Sequence, residues 1–182
     1  MLIRTILFRL LYFKNILFMR GVKFNGFTII FSFKNSRIEI GNGSIINSSP
    51  VSNMLGLYQR TIIVARYGGK ISIGEKCGIS GSTIYAMSNI SIGNNCQIGA
   101  NCKIIDNDFH PLEKEVRRRS VDERYIRKKD VVIGNDCFIG MNSIVLKGTV
   151  LGDGVIVGAG SVVSGTFPDN VIIGGNPARV IR

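Results

Sequence analysis

Ten six-residue units, each opening on a branched aliphatic residue, repeat along the chain and limit what it can fold into. They begin at Ile73, Ile79, Ile92, Ile98, Ile133, Ile139, Val145, Leu151, Val157 and Val163. The second slot is glycine in seven of them, and the fifth is small or β-branched in nine, from Cys77 and Thr83 to Ser161. A fixed short period of this kind means stacked coils, each burying its apolar face only against its neighbours. Three hexads make one triangular coil of about eighteen residues, so coils start near positions 73, 92, 133 and 151. The tetrads Ile38–Gly41, Ile71–Gly74, Ile90–Gly93 and Val131–Gly134 share an aliphatic-x-aliphatic-Gly pattern that supports this register. Alternation of period two turns every other side chain inward.

The 182 residues read as a single domain. Residues 1–26 are an apolar, basic lead-in, 27–168 hold the coils, and 169–182 form a short closing tail. One extra residue lies between Ile84 and Ile92, and a charged insertion at 110–130 leaves at a corner and returns one coil later. A long loop without structure of its own, set in so regular a stack, points to function.

The formal charge of +11 favours anionic partners. No nucleic-acid reading element is present, so such a partner is not expected. No stretch has the roughly 18 uncharged apolar residues of a membrane span. Residues 1–20 are apolar but cut by Arg4, Arg9 and Lys14, and they lack the small-residue site of a cleaved leader. Two readings stay open for them: a cap over the first coil, or a peripheral contact with a membrane surface. The expected location is cytoplasmic, with membrane association under the second reading.

All four cysteines fall in the fifth slot, which faces inward. Cys77, Cys96 and Cys137 should form one ladder and Cys102 should lie on the next face, as small packing residues. The spacing forms no zinc motif, and a lone histidine cannot supply a three-histidine metal site. No metal is expected.

That histidine, His110, lies in Asp106-Asn-Asp-Phe-His-Pro111, where the repeats stop. An imidazole titrates near neutrality and suits general-base work. Asp106 or Asp108 is close enough in sequence to orient it. With the thiols inward and no nucleophile elbow, the remaining chemistry is a single base that activates a hydroxyl or amine for direct attack.

The hexads, the Asp106–Pro111 segment, Ile133–Gly140, Val157–Ser161 and Gly174–Ile181 resemble the hexapeptide-repeat acyltransferases, most nearly the bacterial sugar and polysaccharide O-acetyltransferase branch. The resemblance covers roughly residues 71–182. It implies an all-β fold, a left-handed parallel β-helix, with acetyl-CoA as acyl donor and a homotrimer with sites between subunits. It implies His110 as base, Asp108 ahead of Asp106 as its orienter, and the Met141 N–H as oxyanion donor. Ser80, Asn101 and Asp106 fall among the acceptor contacts. Phe138, Gly140, Gly158 and Ala159 line the pantetheine arm, with Arg179 and Arg182 near the CoA phosphates. The family often has lysine where this chain has Gly165, and Lys147 or arginines of the inserted loop are the substitutes considered. Loop 111–130 is expected beside the acceptor cleft.

The function this implies is acetyl transfer to a saccharide hydroxyl in surface-polysaccharide synthesis. The alternatives are N-acylation of an amino sugar and a solenoid that only binds.

Overall fold

The computed structural model describes residues 15–119 and 123–182. The chain winds as a left-handed parallel β-helix whose three faces are parallel sheets. Face A stacks Ile16–Phe18, Arg37–Ile40, Lys70–Ile73, Asn89–Ile92, Val131–Ile133, Val150–Leu151 and Thr166–Phe167. Face B stacks Lys23–Asn25, Ile45–Asn47, Gly78–Ser80, Gln97–Ile98, Phe138–Ile139, Ile156–Val157 and Ile172–Gly175. Face C stacks Ile29–Ser32, Ile62–Ala65, Thr83–Ala86, Lys103–Ile105, Ile144–Val145 and Val162–Val163.

The expected register is the observed one. Ile73, Ile92, Ile133 and Leu151 pair in succession on face A. Ile79, Ile98, Ile139 and Val157 do so on face B. With Ile84, Ile104, Val145 and Val163 on face C, they form a continuous buried core. Removing one such side chain to Ala costs roughly 2–5 kcal/mol. The second-slot glycines have a steric cause. A Cβ on Gly93 would lie 2.7 Å from the Gly134 carbonyl carbon in the next coil, closer than side-chain carbons pack.

Four details depart from the simple period. The first coil begins at Ile16, paired with Ile38, inside the stretch read as lead-in. The unit at Ile79 has lost a residue, so Ser82 rather than Thr83 takes the small corner slot. Its Oγ accepts the Cys102 N–H at 2.9 Å. After Val163 the chain cuts its corner short and brings Phe167 opposite Leu151. The tail first adds a parallel strand to face B, then turns at Asn176-Pro177 into the antiparallel strand Ala178–Val180.

The insertion is not structureless: it carries a short helix, Lys114–Arg119, and a single 3-10 turn, Glu123–Tyr125. No helix among the described residues is long and apolar enough to cross a membrane. The membrane reading of residues 1–20 falls mostly outside the described residues.

Candidate active site

The segment carrying His110 is a rigid mount. Asp106 is fully buried, and its carboxylate accepts the N–H groups of Met87 (2.8 Å) and Ser88 (2.7 Å) and the Asn107 amide (3.0 Å). Its oxygens are thus committed to closing a corner of the previous coil, which corrects the expectation that Asp106 touches substrate or orients the imidazole. Asn107 in turn accepts the Phe109 N–H at 2.9 Å. Phe109 adopts a left-handed backbone with φ of 59°, a conformation that costs a side-chain-bearing residue roughly 1–2 kcal/mol. The Tyr85 ring, 4.8 Å away centroid to centroid, and the Asn107 bond hold it there. Antiparallel pairing of Asn107 with Lys128 ties the outgoing chain to the returning one.

On this mount His110 is exposed, and its imidazole has no hydrogen-bond partner among the described residues. Its backbone N–H donates to the Asp108 carbonyl at 2.6 Å. The Asp108 carboxylate does not meet the ring. Its Oδ1 pairs with Lys147 Nζ at 2.5 Å, and its buried Oδ2 has no partner among the described residues. Lys147 is therefore engaged at this corner and is not the free phosphate ligand that was considered.

The corners between faces differ in how they satisfy backbone donors. At the A–B corner each N–H is met by a side chain from the next coil. Glu75 N–H donates to Asn94, Asn94 to Asn135, Asn135 to Asp153, and Asp153 to Asp169, at 2.6–2.9 Å. At the B–C corner the equivalent positions include Met141 and Ala159, whose side chains carry no acceptor. Their N–H groups donate to nothing among the described residues. Both sit directly on glycines: a Cβ on Gly99 would come within 2.7 Å of Met141 N, and one on Gly140 within 2.5 Å of Ala159 N. Glycine at 99 and 140 keeps this column of donors open. Phe138 and Ile156, paired outward on face B beside it, are 48% and 40% exposed. Arg179 and Arg182 lie exposed at the C-terminal end of the stack.

Ser80 and Asn101 lie on the same corner, one or two coils towards the N-terminus, and both are buried. Ser80 Oγ accepts from Asn47 at 3.2 Å, while Asn101 donates to the Gly56 carbonyl at 3.0 Å. The four thiols are buried and free, in the expected ladder. Burial pushes Cys102 up, and the Cys96 thiol pushes Cys137 up, so neither is suited to nucleophilic attack. Among the described residues no three His, Cys, Asp or Glu side chains cluster as metal ligands.

Within one chain the two halves stand apart. His110 leaves from the C–A corner and Met141 occupies the B–C corner, with face C between them. From Met141 to Lys147 along that face is six residues at about 3.3 Å each, so the corners are on the order of 15–20 Å apart.

Residues 130–165 match the bacterial transferase hexapeptide model (six repeats), and residues 89–104 match the hexapeptide repeat of succinyl-transferase. In these segments the chain resembles the bacterial hexapeptide-repeat transferases. Among relatives of known sequence is Escherichia coli K12 WbbJ, provisionally named a lipopolysaccharide biosynthesis O-acetyl transferase. It is 48% identical over 61 residues, 34% of this chain and 31% of that protein. The chain thus spans about a third of that relative's length. Two solved structures share the fold across nearly the whole chain. The Vibrio cholerae hexapeptide-repeat acetyltransferase VCA0836 has a TM-score of 0.60 at 22% identity, covering 100% of this chain and 79% of its own. The Bacillus cereus N-acyltransferase AntD, solved as a point mutant with dTDP and coenzyme A, has a TM-score of 0.64 at 20% identity, covering 98% and 88%.

Several site residues were not legible beforehand. Asn107, Phe109 and Tyr85 hold the histidine, and Lys147 holds Asp108. The Asn-x-Phe turn was a readable local signal. Tyr85 and Lys147 lie in other coils, 25 and 37 positions from His110 by residue number, and their roles depend on which coils stack together.

Proposed function

We propose that the protein transfers an acetyl group from acetyl-CoA to a saccharide hydroxyl, in a cleft shared by neighbouring subunits of a homotrimer. One observation carries this reading. An exposed imidazole on a rigid mount stands at one corner, and a column of N–H groups without partners among the described residues stands at the other.

Threefold packing of triangular prisms brings unlike corners of adjacent copies together, which a single chain cannot do. The hydroxyl oxygen attacks the thioester carbon while the His110 ring nitrogen takes its proton. The Met141 N–H donates to the oxyanion, a contribution of roughly 3–4 kcal/mol. Collapse breaks the carbon–sulfur bond, and the imidazolium returns the proton to the departing CoA thiolate. The pantetheine arm lies along Phe138, Gly140, Gly158 and the free Ala159 N–H. Its phosphates extend towards Arg179 and Arg182, whose planar forks suit them. Lys147 fixes the Asp108 carboxylate, whose second oxygen is the acceptor left to steady the ring if the imidazole turns towards it during proton transfer. The WbbJ likeness supports a surface-polysaccharide acceptor and, with acetyl-CoA as donor, a cytoplasmic location.

The test is transfer of labelled acetyl from acetyl-CoA to paired panels of hydroxyl-only and amino sugars. Label on hydroxyl-only sugars supports the reading. Label confined to amino sugars would replace it with N-acylation, the reaction class for which AntD is named, on the same fold. No label on either would refute both.

A further inference from the structure

Among the described residues Lys103 is a cation without an anion. It opens the face-C strand Lys103–Ile105 at the B–C corner, one coil before Met141. Its Nζ donates to two neutral oxygens, Gln59 Oε1 at 2.9 Å and the Asn101 carbonyl at 3.2 Å. No carboxylate pairs with it among the described residues, although the chain has twelve acidic side chains. Partial burial holds its pKa below the usual lysine range. A half-buried ammonium met only by neutral groups has one N–H left over and an uncompensated charge.

Its surroundings suit a sugar. The Tyr58 ring lies over the ammonium at 5.7 Å from its centroid and is itself 72% exposed. An exposed aromatic face anchored at one edge is a platform for the C–H face of a pyranose. Gln59 is fixed by donating to the Gly81 carbonyl at 2.7 Å and Thr83 Oγ1 at 3.1 Å, so the ammonium's partner does not swing away. Beside it Asn101 is 3% exposed, and its buried Oδ1 has no hydrogen-bond donor among the described residues. Two independent features at one corner, a cation lacking an anion and an oxygen lacking a donor, are the complement of a ligand with both an anionic group and hydroxyls.

We propose that Lys103, Gln59, Asn101 and Tyr58 form an acceptor subsite for a saccharide bearing an anionic group, either the carboxylate of an acidic sugar or the phosphate of an activated one. The inference rests on the acetyl-transfer reading for its place beside Met141, but it predicts binding that needs no acetyl-CoA. The N–H of Met141 stacks on Gly99, two residues before Asn101, so a sugar held here presents its hydroxyls to the thioester.

The experiment is calorimetric titration of the full-length protein, without acetyl-CoA, using methyl glucuronide, glucose 1-phosphate and methyl glucoside. The expected result is binding of one charged sugar at least tenfold tighter than the neutral one. The charged sugar that wins identifies the source of the anion. Lys103→Met should abolish the preference and Lys103→Arg should keep it, which a purely structural lysine would not do. The same ratio is then read from kcat/KM with each acceptor. Equal affinity for charged and neutral sugars, or a preference that survives Lys103→Met, overturns the subsite. Charged-sugar binding that depends on Lys103, without acetylation of any acceptor, leaves the subsite standing and refutes the reaction instead.

Discussion

Asp106→Ala should destabilise the protein before it affects the chemistry. The carboxylate accepts three donors: the Met87 and Ser88 N–H groups and the Asn107 amide. Met87 and Asn107 are each 2% exposed, so water cannot readily take the lost acceptor's place. Ser88 is less buried and can rehydrate. Each orphaned buried donor costs about 1–3 kcal/mol. Two of them, less the relief of no longer burying a charge, give a loss of about 2–4 kcal/mol. For a domain of this size each kcal/mol moves Tm by about 2–4 °C, so Tm should fall by about 4–16 °C. Asp106→Asn retains one acceptor and should lose about half as much. Circular-dichroism melts of the three proteins measure this directly. A Tm within about 1 °C of wild type, together with lost turnover, would refute the clamp and return Asp106 to the role of orienting the imidazole.

Three further outcomes follow from the same geometry. Met141 precedes Asn142, whose φ is 59°, a turn that accepts proline at its first central position, so Met141→Pro should remove the oxyanion donor and keep the corner. Each of Met141→Pro and His110→Ala should be inactive alone, but a 1:1 refolded mixture should regain about a quarter of wild-type activity, because sites shared around a ring recombine; no recovery would place both groups in one chain. Gly140→Ala, which drives a methyl to 2.5 Å from Ala159 N, should cost about 1–3 kcal/mol by overpacking and weaken CoA binding, both read by thermal shift with and without CoA. The third outcome concerns alkaline stability. Cys96 lies at about 11, since the neighbouring Cys137 thiol lowers it less than Cys77 and burial raise it, and Cys102 is raised by burial. These thiols keep their protons in the folded state above their ordinary 9.0, so their contribution is full below pH 9 and drains away as pH climbs towards 11. Cys77 shifts the other way and offsets part of this. Melts from pH 8 to 11 should show a falling Tm, and the fall should shrink in Cys102→Ala; a flat profile would contradict the buried ladder.

The fold was legible because its information is local and periodic. An aliphatic every six residues places Ile73, Ile92, Ile133 and Leu151 in register without knowledge of any distant contact. The position of His110 was legible for the same reason, as the point where the period stops. What failed were statements about partners. Asp106 and Asp108 look equivalent in sequence, but Asp106 faces the corner of the preceding coil and Asp108 reaches Lys147 in the following one. Stacking decides this, and spacing along the chain does not encode it. Likewise the single-residue deletion at Gly81 moved the small corner slot from Thr83 to Ser82, because the backbone keeps Ile84 opposite Ile104 at the expense of the count. Lys103 was invisible beforehand, since its meaning lies in having no acid paired with it among the described residues.

The central claim is that His110 is the base for direct acetyl transfer, and one measurement tests it most directly. His110→Ala is compared with wild type for turnover with acetyl-CoA and for CoA affinity by calorimetry. Loss of general-base assistance should lower kcat by about 10²–10⁴-fold. CoA affinity should stay within about twofold of wild type, a difference under about 0.5 kcal/mol, because the exposed ring holds none of the donor-binding groups. Turnover retained at the wild-type level would contradict the account.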